Sequence, residues 1–581
     1  MSMACRNLPV FAAQALAGVE RVELLKGPQG TLYGKSALGG VLNVRTRTPG
    51  DAPYFSLRST LSGRGGRAAQ AEAAGALVPG LLYGAALIGQ DDVVGDVRSA
   101  ALAQDRLGSA RAGLGRLRLA PQGRLWEASA WAARECTHGP QNVYVPFADI
   151  RPRQAYADAG VQGKYRNYHM HRCGNSLAAQ GQYDGRDWRL TATAGNQRVR
   201  FERRFPIGAY HSSQPEHWQQ NMQELRWATL GDGQAGSGRR WDAVLGLYRQ
   251  RAQQQRSSQF TLATVPASMP ATHSTGVSQT LAAYGDLTWH ATPRMDIGAG
   301  LRLSRDESRT QFGGGAGASA FAGSAAQAHN TWQGRLNAGW QFSPQWRGYA
   351  NLAQGYKPAD YNLAPSNPLD AQGFRRERAA SYEVGARLTT ARLQGNFALY
   401  RIRTRDMQLY TSEIGQQVLR NAGHARSSGV EGQIEWLLPH WRTGAASVGL
   451  GGFVNRSIYT EYFDATCAAC IGKRVPHTPA SGLDITLKGR FQAGQHTLRP
   501  QLDLRYVGAH WFDDANTLRQ GGYTLLDAAL SWHPSPGVEV RAWAHNLTNK
   551  TVRNYGFTFG GTPLAQLTAG RTAGVTLEFS Y

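Results

Sequence analysis

The chain has 581 residues, about three to four times a typical domain length, so it forms either several domains or one architecture that grows without a solid core. Its 69 glycines and 25 prolines, with a mean hydropathy of −0.43, disfavour a helical membrane protein and favour strands and turns. The 41% share of hydrophobic residues disfavours a disordered chain. The net charge of +23 suits an anionic ligand or an anionic membrane surface.

The basic residues are mostly arginine, since only seven of the 63 are lysine. They are scattered among alternating strands rather than clustered on a helix, so no nucleic-acid partner is expected. Arginine forks match phosphate and carboxylate oxygens well. The alternative interpretation is an arginine-rich codon bias with solvated side chains.

The first 17 residues imitate a short signal peptide, with Arg6, an apolar run and the small residues Ala15 and Ala17. Pro9 interrupts the apolar run, which is also short. An export signal is therefore not evident in this chain.

Residues 27–40, GPQGTLYGKSALGG, include the Gly-Lys-Ser of a phosphate-binding loop. That loop requires glycine five positions before Gly34, where this chain has Gln29, and it requires an uninterrupted helix afterwards, where Gly39 follows. A nucleotide site is therefore excluded. The segment instead predicts two short strands, at 22–26 and 41–47, joined by a glycine-rich turn.

From about residue 51 onward the hydrophobic period is two, as in strands with one apolar and one polar face. In residues 498–506, for example, Leu502 and Leu504 alternate with Asp503 and Arg505. Tight turns recur ten times, at Pro79-Gly80, Pro121 to Gly123, Asp184-Gly185, Gly236 to Gly238, Pro293, Pro344, Thr390, Pro439, Gln492 to Gly494 and Pro534 to Gly537. Ten turns separate eleven hairpins with strands of about ten residues. The sequence thus predicts an all-β fold, a 22-stranded antiparallel transmembrane β-barrel.

Tryptophans flank several of these turns, among them Trp289, Trp340, Trp346, Trp436 and Trp532. A belt of aromatic rings at a lipid interface produces this spacing. A soluble propeller would show a regular blade motif, and the sequence has none.

Long polar connections are predicted at 135–174, 253–277, 313–328, 357–377 and 549–569. Long loops at one mouth of a rigid barrel are the usual place for ligand recognition.

Residues 19–49 read VERVELLKGPQGTLYGKSALGGVLNVRTRTP. This segment is similar to the end of the plug domain of the TonB-dependent outer-membrane receptor family, and the chain therefore resembles that family. Further similar segments are GYKPADYN (355–362), RERAASYEVGAR (376–387), NAGHARSSGVEGQIEW (421–436), GYTLLDAALSW (522–532) and HNLTNKTVRNYG (545–556). The plug motif corresponds here to Lys26, Gly27, Pro28, Gly30, Tyr33, Gly34, Gly39 and Gly40.

The resemblance implies two domains, residues 1–50 as the C-terminal remnant of a plug and residues 51–581 as the barrel. The signal peptide, the coupling segment and the first two thirds of the plug are then expected to be absent. It also implies a monomer in the outer membrane of a Gram-negative bacterium, in contact with outer-membrane lipid and lipopolysaccharide. The expected energy-coupling partner is the TonB-ExbB-ExbD complex.

The implied function is energised import, and the motifs are similar to the ferric-siderophore branch of the yersiniabactin and pesticin receptor type. Iron would arrive within the ligand, so no cofactor and no protein-bound metal are expected. The alternatives are a receptor for haem, cobalamin or an oligosaccharide, a passive porin, or a truncated receptor without function.

An anionic ferric chelate would be favoured by the basic cluster Arg198, Arg200, Arg203 and Arg204 around Phe201 and Phe205. The alternative is that this cluster contacts lipopolysaccharide phosphates at the rim. His169 and His171 share one face of an extended segment, which suits haem or a metal, or else simple solvation.

Two other groups of residues combine side chains that could carry chemistry. Cys467 and Cys470 predict a disulfide in an exposed loop, with metal binding as the alternative. His510, Asp513 and Asp514 imitate a hydrolytic site, but GAHWFDDAN (508–516) is similar to a recurring segment of the receptor family, so no enzyme is expected.

Overall fold

The computed structural model describes residues 18–93, 97, 107–139, 144–156, 169–207, 210–230, 240–262, 270–365, 367–413, 416–441, 443–463 and 465–581. The signal-like residues 1–17, the predicted turn at Gly236 to Gly238 and the side chain of Phe205 lie outside this description. No helix in the described part is long and apolar enough to cross a membrane.

The helices and strands follow one another in chain order. The strands are β1 (Val19–Lys26), β2 (Gly40–Thr46), β3 (Tyr54–Ser62), β4 (Arg67–Val78), β5 (Leu81–Val93), β6 (Leu107–Leu119), β7 (Trp126–Gly139), β8 (Val145–Pro146), β9 (Met170–Asp184), β10 (Trp188–Ile207), β11 (Tyr210–Thr229), β12 (Trp241–Leu262), β13 (Thr272–Thr292), β14 (Met295–Gly314), β15 (Phe321–Gln341), β16 (Trp346–Lys357), β17 (Glu377–Thr389), β18 (Leu393–Glu413), β19 (Gln416–Leu437), β20 (Gly444–Tyr462), β21 (Ser481–Ala493), β22 (His496–Val507), β23 (His510–Trp511), β24 (Arg519–Gln520), β25 (Tyr523–Ser535), β26 (Val538–His545), β27 (Arg553–Phe559), β28 (Thr562–Leu567) and β29 (Thr572–Ser580). A one-turn helix, α1, spans Gly30–Tyr33, and short 3-10 helices span Gly63–Gly65, Gly317–Ser319 and Ala465–Cys470.

Twenty-two of these strands form one closed antiparallel barrel within the described residues. The last strand, β29, pairs with the first barrel strand, β3, so the sheet has no free edge. Closure satisfies the backbone hydrogen bonds that a bilayer leaves without water. The predicted fold class and strand number are confirmed, and nine of the ten predicted turns fall between consecutive barrel strands.

The strands are longer than the ten residues predicted from the turn spacing. Both β12 and β19 have 22 residues, although about 9–11 suffice to span a bilayer. The strands therefore continue to pair beyond the membrane, and much of the predicted connections 253–277 and 313–328 is strand. Between β14 and β15 only residues 315–320 remain as a connection.

The two faces of each barrel strand have opposite polarity, as β14 illustrates. Arg302 and Asp306 are buried at 3% and 7% exposure, whereas Leu301 and Leu303 are 49% and 55% exposed. Polar groups therefore point into the barrel and apolar groups point out, as a lipid environment requires. The exposed tryptophans near the turns, including Trp289 stacked on Trp241 at 5.6 Å, form the predicted belt.

Residues 18–49, which we call the inner segment, lie inside the barrel. Strands β1 and β2 pair with each other and with no barrel strand, while α1 rests against β13, β14, β15 and β16. The Ser36 backbone N–H donates to the Tyr356 carbonyl at 2.8 Å. The inner segment is thus docked on the lumenal wall.

Gly30 marks a close approach between α1 and that wall. A Cβ at this position would lie 1.7 Å from Gln333 Nε2 and 2.7 Å from the Gln354 carbonyl oxygen.

The substitution Gly30→Ala is therefore expected to weaken docking of the inner segment by about 1–3 kcal/mol, the usual cost of overpacking. Tryptic cleavage of the inner segment, followed by mass spectrometry, should be faster in this variant. Gly39→Ala is the control, because nothing lies within 4 Å of its added Cβ; equal cleavage of both variants would contradict the close fit.

Two disulfides are present in the described residues. Cys467 and Cys470 are joined within the 3-10 helix Ala465–Cys470. Cys136 and Cys173 are joined across the directly opposed positions of β7 and β9, with Cα atoms 4.1 Å apart. The sequence did not suggest the second pair, because 37 residues separate its members and only the strand register brings them together.

Candidate ligand cavity in the barrel lumen

A cavity of about 280 Å³ opens above the inner segment. The lumenal faces of β10–β13 form one side of it, the β16–β17 loop (residues 358–376) forms another, and Lys35 and Ser36 form the floor. The cavity therefore lies between the outer mouth of the barrel and the inner segment that is docked in the lumen.

The cavity lining is basic, amide-rich and aromatic. Five cationic side chains face two acidic ones, namely Lys35, Arg172, Arg203, Arg256 and Lys357 against Glu216 and Asp360. The amides are Gln214, Gln220, Gln250, Gln254, Asn362 and Gln408, and the aromatic residues are Phe201, Trp218, Tyr361, Phe374 and Tyr410. Such a lining favours a ligand that carries negative charge and flat rings.

Two arginines from different strands converge on one amide. Arg203 Nε on β10 donates to Gln214 Oε1 at 2.6 Å, and Arg256 on β12 donates to the same oxygen at 2.9 Å. Gln214 is buried, and its amide nitrogen donates to the Ser212 and Ser258 hydroxyls at 3.0 and 3.4 Å. These two hydroxyls fix the amide orientation, so that Gln214 holds both guanidinium groups together at the cavity wall. The two guanidinium groups together can bind a carboxylate or a comparable anionic group.

The β16–β17 loop is folded inward by side-chain to backbone hydrogen bonds. Asn362 Nδ2 donates to the Asp370 and Leu419 carbonyls, both at 3.1 Å, and Asn362 Oδ1 accepts from the Leu419 N–H at 2.8 Å. The Ala364 N–H donates to Ser274 Oγ at 2.7 Å. Burial, with the neighbouring Asp360 charge, raises the pKa of the Tyr361 phenol. This phenol therefore keeps its proton and can donate a hydrogen bond to a ligand oxygen.

A hydrogen-bond network ties the floor of the cavity to the barrel wall. Lys35 Nζ donates to Thr280 Oγ1 at 2.7 Å, and Thr280 Oγ1 donates to Asp306 Oδ1 at 2.6 Å. The Tyr356 hydroxyl donates to Asp306 Oδ2 at 2.5 Å. Lys35 Nζ also lies 4.0 Å from Asp306 Oδ1. The buried carboxylate of Asp306 thus joins the inner segment to three barrel strands, β13, β14 and β16.

The other residues of the predicted plug motif also contact the wall or shape the turn. Lys26 Nζ donates to Glu431 Oε1 at 2.9 Å. Gly34, at φ = 79°, sits beside the Arg302 guanidinium, which lies 5.2 Å from each of the Tyr248 and Tyr284 rings. Two backbone hydrogen bonds shape the turn: the Gly27 N–H donates to the Gly39 carbonyl, and the Tyr33 N–H donates to the Gln29 carbonyl. Gly40, at φ = 149°, approaches the Leu25 carbonyl. Pro28 approaches the wall near Gly355.

The predicted ligand cluster on β10 is divided between two faces. Phe201 and Arg203 point into the cavity, whereas Arg198, Arg200 and Arg204 are exposed on the outer face. The five residues therefore do not share one ligand, because successive side chains of a strand alternate between faces. The sequence interpretation missed Arg256 and Gln214, which only the pairing of β10 with β11 and of β11 with β12 brings next to Arg203.

The remaining candidates lie outside the cavity. His169 and His171 are near His138, with ring centroids 5.7 and 5.9 Å from it, beside the Cys136–Cys173 disulfide. Asp513 accepts from the Thr517 and Leu518 N–H groups. Asp514 accepts from the Tyr459 and Tyr462 hydroxyls, and His510 is buried. No group of three or more His, Cys, Asp or Glu in the described part of the chain is arranged to hold a metal ion.

Comparison with known proteins identifies a family that matches this barrel. Residues 126–547 match the family described as TonB dependent receptor-like, beta-barrel. Proteins named pesticin receptor, from Yersinia enterocolitica and Yersinia pestis, are 37% identical over 580 residues, which cover 99% of this chain and 83% of theirs.

Solved structures agree with that match. The ferric yersiniabactin uptake receptor FyuA from Yersinia pestis has a TM-score of 0.88 at 35% identity, covering 98% of this chain and 86% of that one. The siderophore receptor PiuA from Acinetobacter baumannii, at 14% identity with a TM-score of 0.78, covers 97% of this chain and 86% of its own and shares the fold. As the sequence motifs predicted, the chain belongs to the TonB-dependent receptor family, whose members are transport receptors rather than enzymes.

Proposed function

We propose that this protein is an outer-membrane transporter that takes up a ferric siderophore by energised import. The observation that carries the proposal is the basic, aromatic cavity directly above a docked inner segment, inside a closed 22-stranded barrel. The similarity to receptors named for pesticin and for ferric yersiniabactin supports the ligand class. The inner segment corresponds to the C-terminal part of a plug domain.

The ligand is an anionic ferric chelate with aromatic rings, of the yersiniabactin type. Arg203 and Arg256 bind its anionic groups, while Phe201, Trp218 and Tyr410 pack against its rings. Iron arrives as cargo within the chelate, so the protein needs no resident cofactor and performs no covalent chemistry.

Import requires that the inner segment moves, because it stands between the cavity and the opposite mouth of the barrel. Its contacts with the wall are hydrogen bonds and ion pairs, such as Lys26–Glu431 and Lys35–Asp306. Such contacts exchange with water when the segment is pulled. The TonB-ExbB-ExbD complex is the proposed source of that pull, and the receptor acts as a monomer.

Ligand binding to the purified full chain tests this function. Trp218 lines the cavity, so quenching of tryptophan fluorescence by ferric yersiniabactin is expected, with much weaker quenching by iron-free yersiniabactin. Haem, cyanocobalamin and maltohexaose are the comparison ligands. Saturable binding of one of these, without binding of any ferric chelate, would contradict the proposal. So would high ion conductance without binding of any ligand, which is the behaviour of a porin.

A further inference from the structure

The outer face of the barrel carries six arginines on four adjacent strands, β17–β20. We call them the arginine patch: Arg378, Arg401, Arg403, Arg405, Arg426 and Arg456. On β18, Leu399 is 54% exposed, and the next three outward positions are the arginines 401, 403 and 405. On β20, Val454 is 65% exposed and Arg456 follows it on the same face. The patch therefore begins where the lipid-facing apolar band ends.

Strand register places like charges directly opposite each other in this patch. Arg378 opposes Arg405 across β17 and β18, and Arg403 opposes Arg426 across β18 and β19. Directly opposed residues have Cβ atoms about 4.5–5.5 Å apart, and like charges at this separation destabilise a sheet. An anion bound between them would remove this cost.

Few carboxylates within the protein neutralise the patch. Asp406 lies 3.8 Å from Arg378 but is closer, at 3.0 Å, to Arg375. Glu461 lies 3.5 Å from His424, above Arg426. Within the described residues, the other five arginines of the patch form no ion pair.

Several outer-face arginines elsewhere are paired with acids. Arg111 and Arg67 share Asp91 at 2.6 and 3.0 Å, and Arg305 pairs with Glu307 at 3.0 Å. Among the described residues, Arg198, Arg200, Arg249 and Arg251 are also exposed on the outer face without an ion pair. The arginine patch differs from both groups because arginines within it directly oppose one another across paired strands.

We infer that the arginine patch binds the phosphate groups of lipopolysaccharide in the outer leaflet. Each arginine guanidinium group can donate two hydrogen bonds to the oxygens of one phosphate. The exposed Leu399, Val430 and Val454 below the patch offer a surface for acyl chains, and the exposed Tyr382 lies opposite Arg401 at the border. This inference rests on the outer-membrane residence proposed above, but not on the siderophore cavity, which lies inside the barrel, whereas the patch faces outward.

Lipid retention by the full chain in detergent tests the inference. Native mass spectrometry with added bisphosphorylated lipid A is expected to show a retained lipid on the unchanged protein. The double variant Arg403→Gln, Arg426→Gln should lower its apparent affinity about tenfold or more, because two charge-assisted contacts are lost. Arg305→Gln is the matched control, since it removes an exposed outer-face arginine that is paired with Glu307.

Three outcomes would overturn the inference. One is equal lipid A retention by the double variant and the control. The second is displacement of the lipid by millimolar inorganic phosphate, which would indicate a simple anion site. The third is equal retention of phosphatidylglycerol, which would indicate a surface for any anionic lipid. Migration of unheated samples in gels shows whether each variant is folded. The charge-preserving variant Arg403→Lys, Arg426→Lys should retain more lipid than the glutamine variant.

Ferric yersiniabactin binding, measured on the same samples, separates this inference from the proposed function. The double variant should bind the chelate as the unchanged protein does. A protein that binds no ferric chelate but loses lipid A in the double variant would refute the siderophore proposal and support the lipid site.

Discussion

Replacing Arg203 and Arg256 together by alanine is expected to weaken ferric yersiniabactin binding about 100-fold or more. Each guanidinium makes a charge-assisted contact worth about 1.5–3 kcal/mol, and a 100-fold change in affinity corresponds to about 2.7 kcal/mol. Gln214 then also loses both of its donors at the cavity wall. Fluorescence titration of the purified variant measures the change in affinity.

The control for this variant lies on the same strand. Arg198 and Arg200 are exposed on the outer face of β10, so the double substitution Arg198→Ala, Arg200→Ala removes the same charge without changing the cavity. Binding should stay within about twofold of the unchanged protein, because long-range attraction between exposed charges is screened at physiological salt. Equal losses in both double variants would show that net charge, rather than the converging pair, attracts the ligand.

The contrast between these two pairs shows what the sequence could predict here. Alternation along β10 is a local property, and applied to residues 198–204 it separates Phe201 and Arg203 from the three outward arginines. The partnership of Arg203 with Arg256 is not local. It depends on the register of three strands, in which Glu216 opposes both Phe201 and Arg256. A single sequence does not determine such a register.

Turns and strand ends differ in the same way. Turn positions such as Pro79-Gly80 were predictable, because Gly80 adopts φ = 81° and the flanking strands alternate clearly. The outer ends of β14 and β15 were not. Residues 313–328 are rich in glycine, alanine and serine, which have weak strand propensity, yet cross-strand pairing extends to Gly314 and Phe321. Tertiary pairing there outweighs local composition.

The docking of the inner segment depends on buried polar groups, and Asp306 is one that contacts both the inner segment and two neighbouring parts of the wall. Its carboxylate accepts from Thr280 and Tyr356 and lies 4.0 Å from Lys35 Nζ. Asp306→Ala leaves the Lys35 ammonium without this countercharge and the Tyr356 hydroxyl without this acceptor. Removing one partner of a buried pair costs about 3–5 kcal/mol. The loss of the Lys35 contact falls on the interface between inner segment and wall, whereas the Thr280 and Tyr356 contacts lie within the wall. The closed barrel keeps its own backbone hydrogen bonds.

We therefore expect Asp306→Ala to loosen the inner segment while the barrel remains folded. Single-channel recordings in planar bilayers should show large-conductance openings more often than recordings of the unchanged protein. Glu307→Ala is the matched control, since Glu307 is the next residue on β14 and pairs with Arg305 on the outer face. It should stay as silent as the unchanged protein. If all three proteins conduct equally, the inner segment does not close the barrel, and the lumen is open as in a porin. If all three stay closed, the seal depends on contacts other than the Asp306 network, such as the close fit of Gly30 against Gln333.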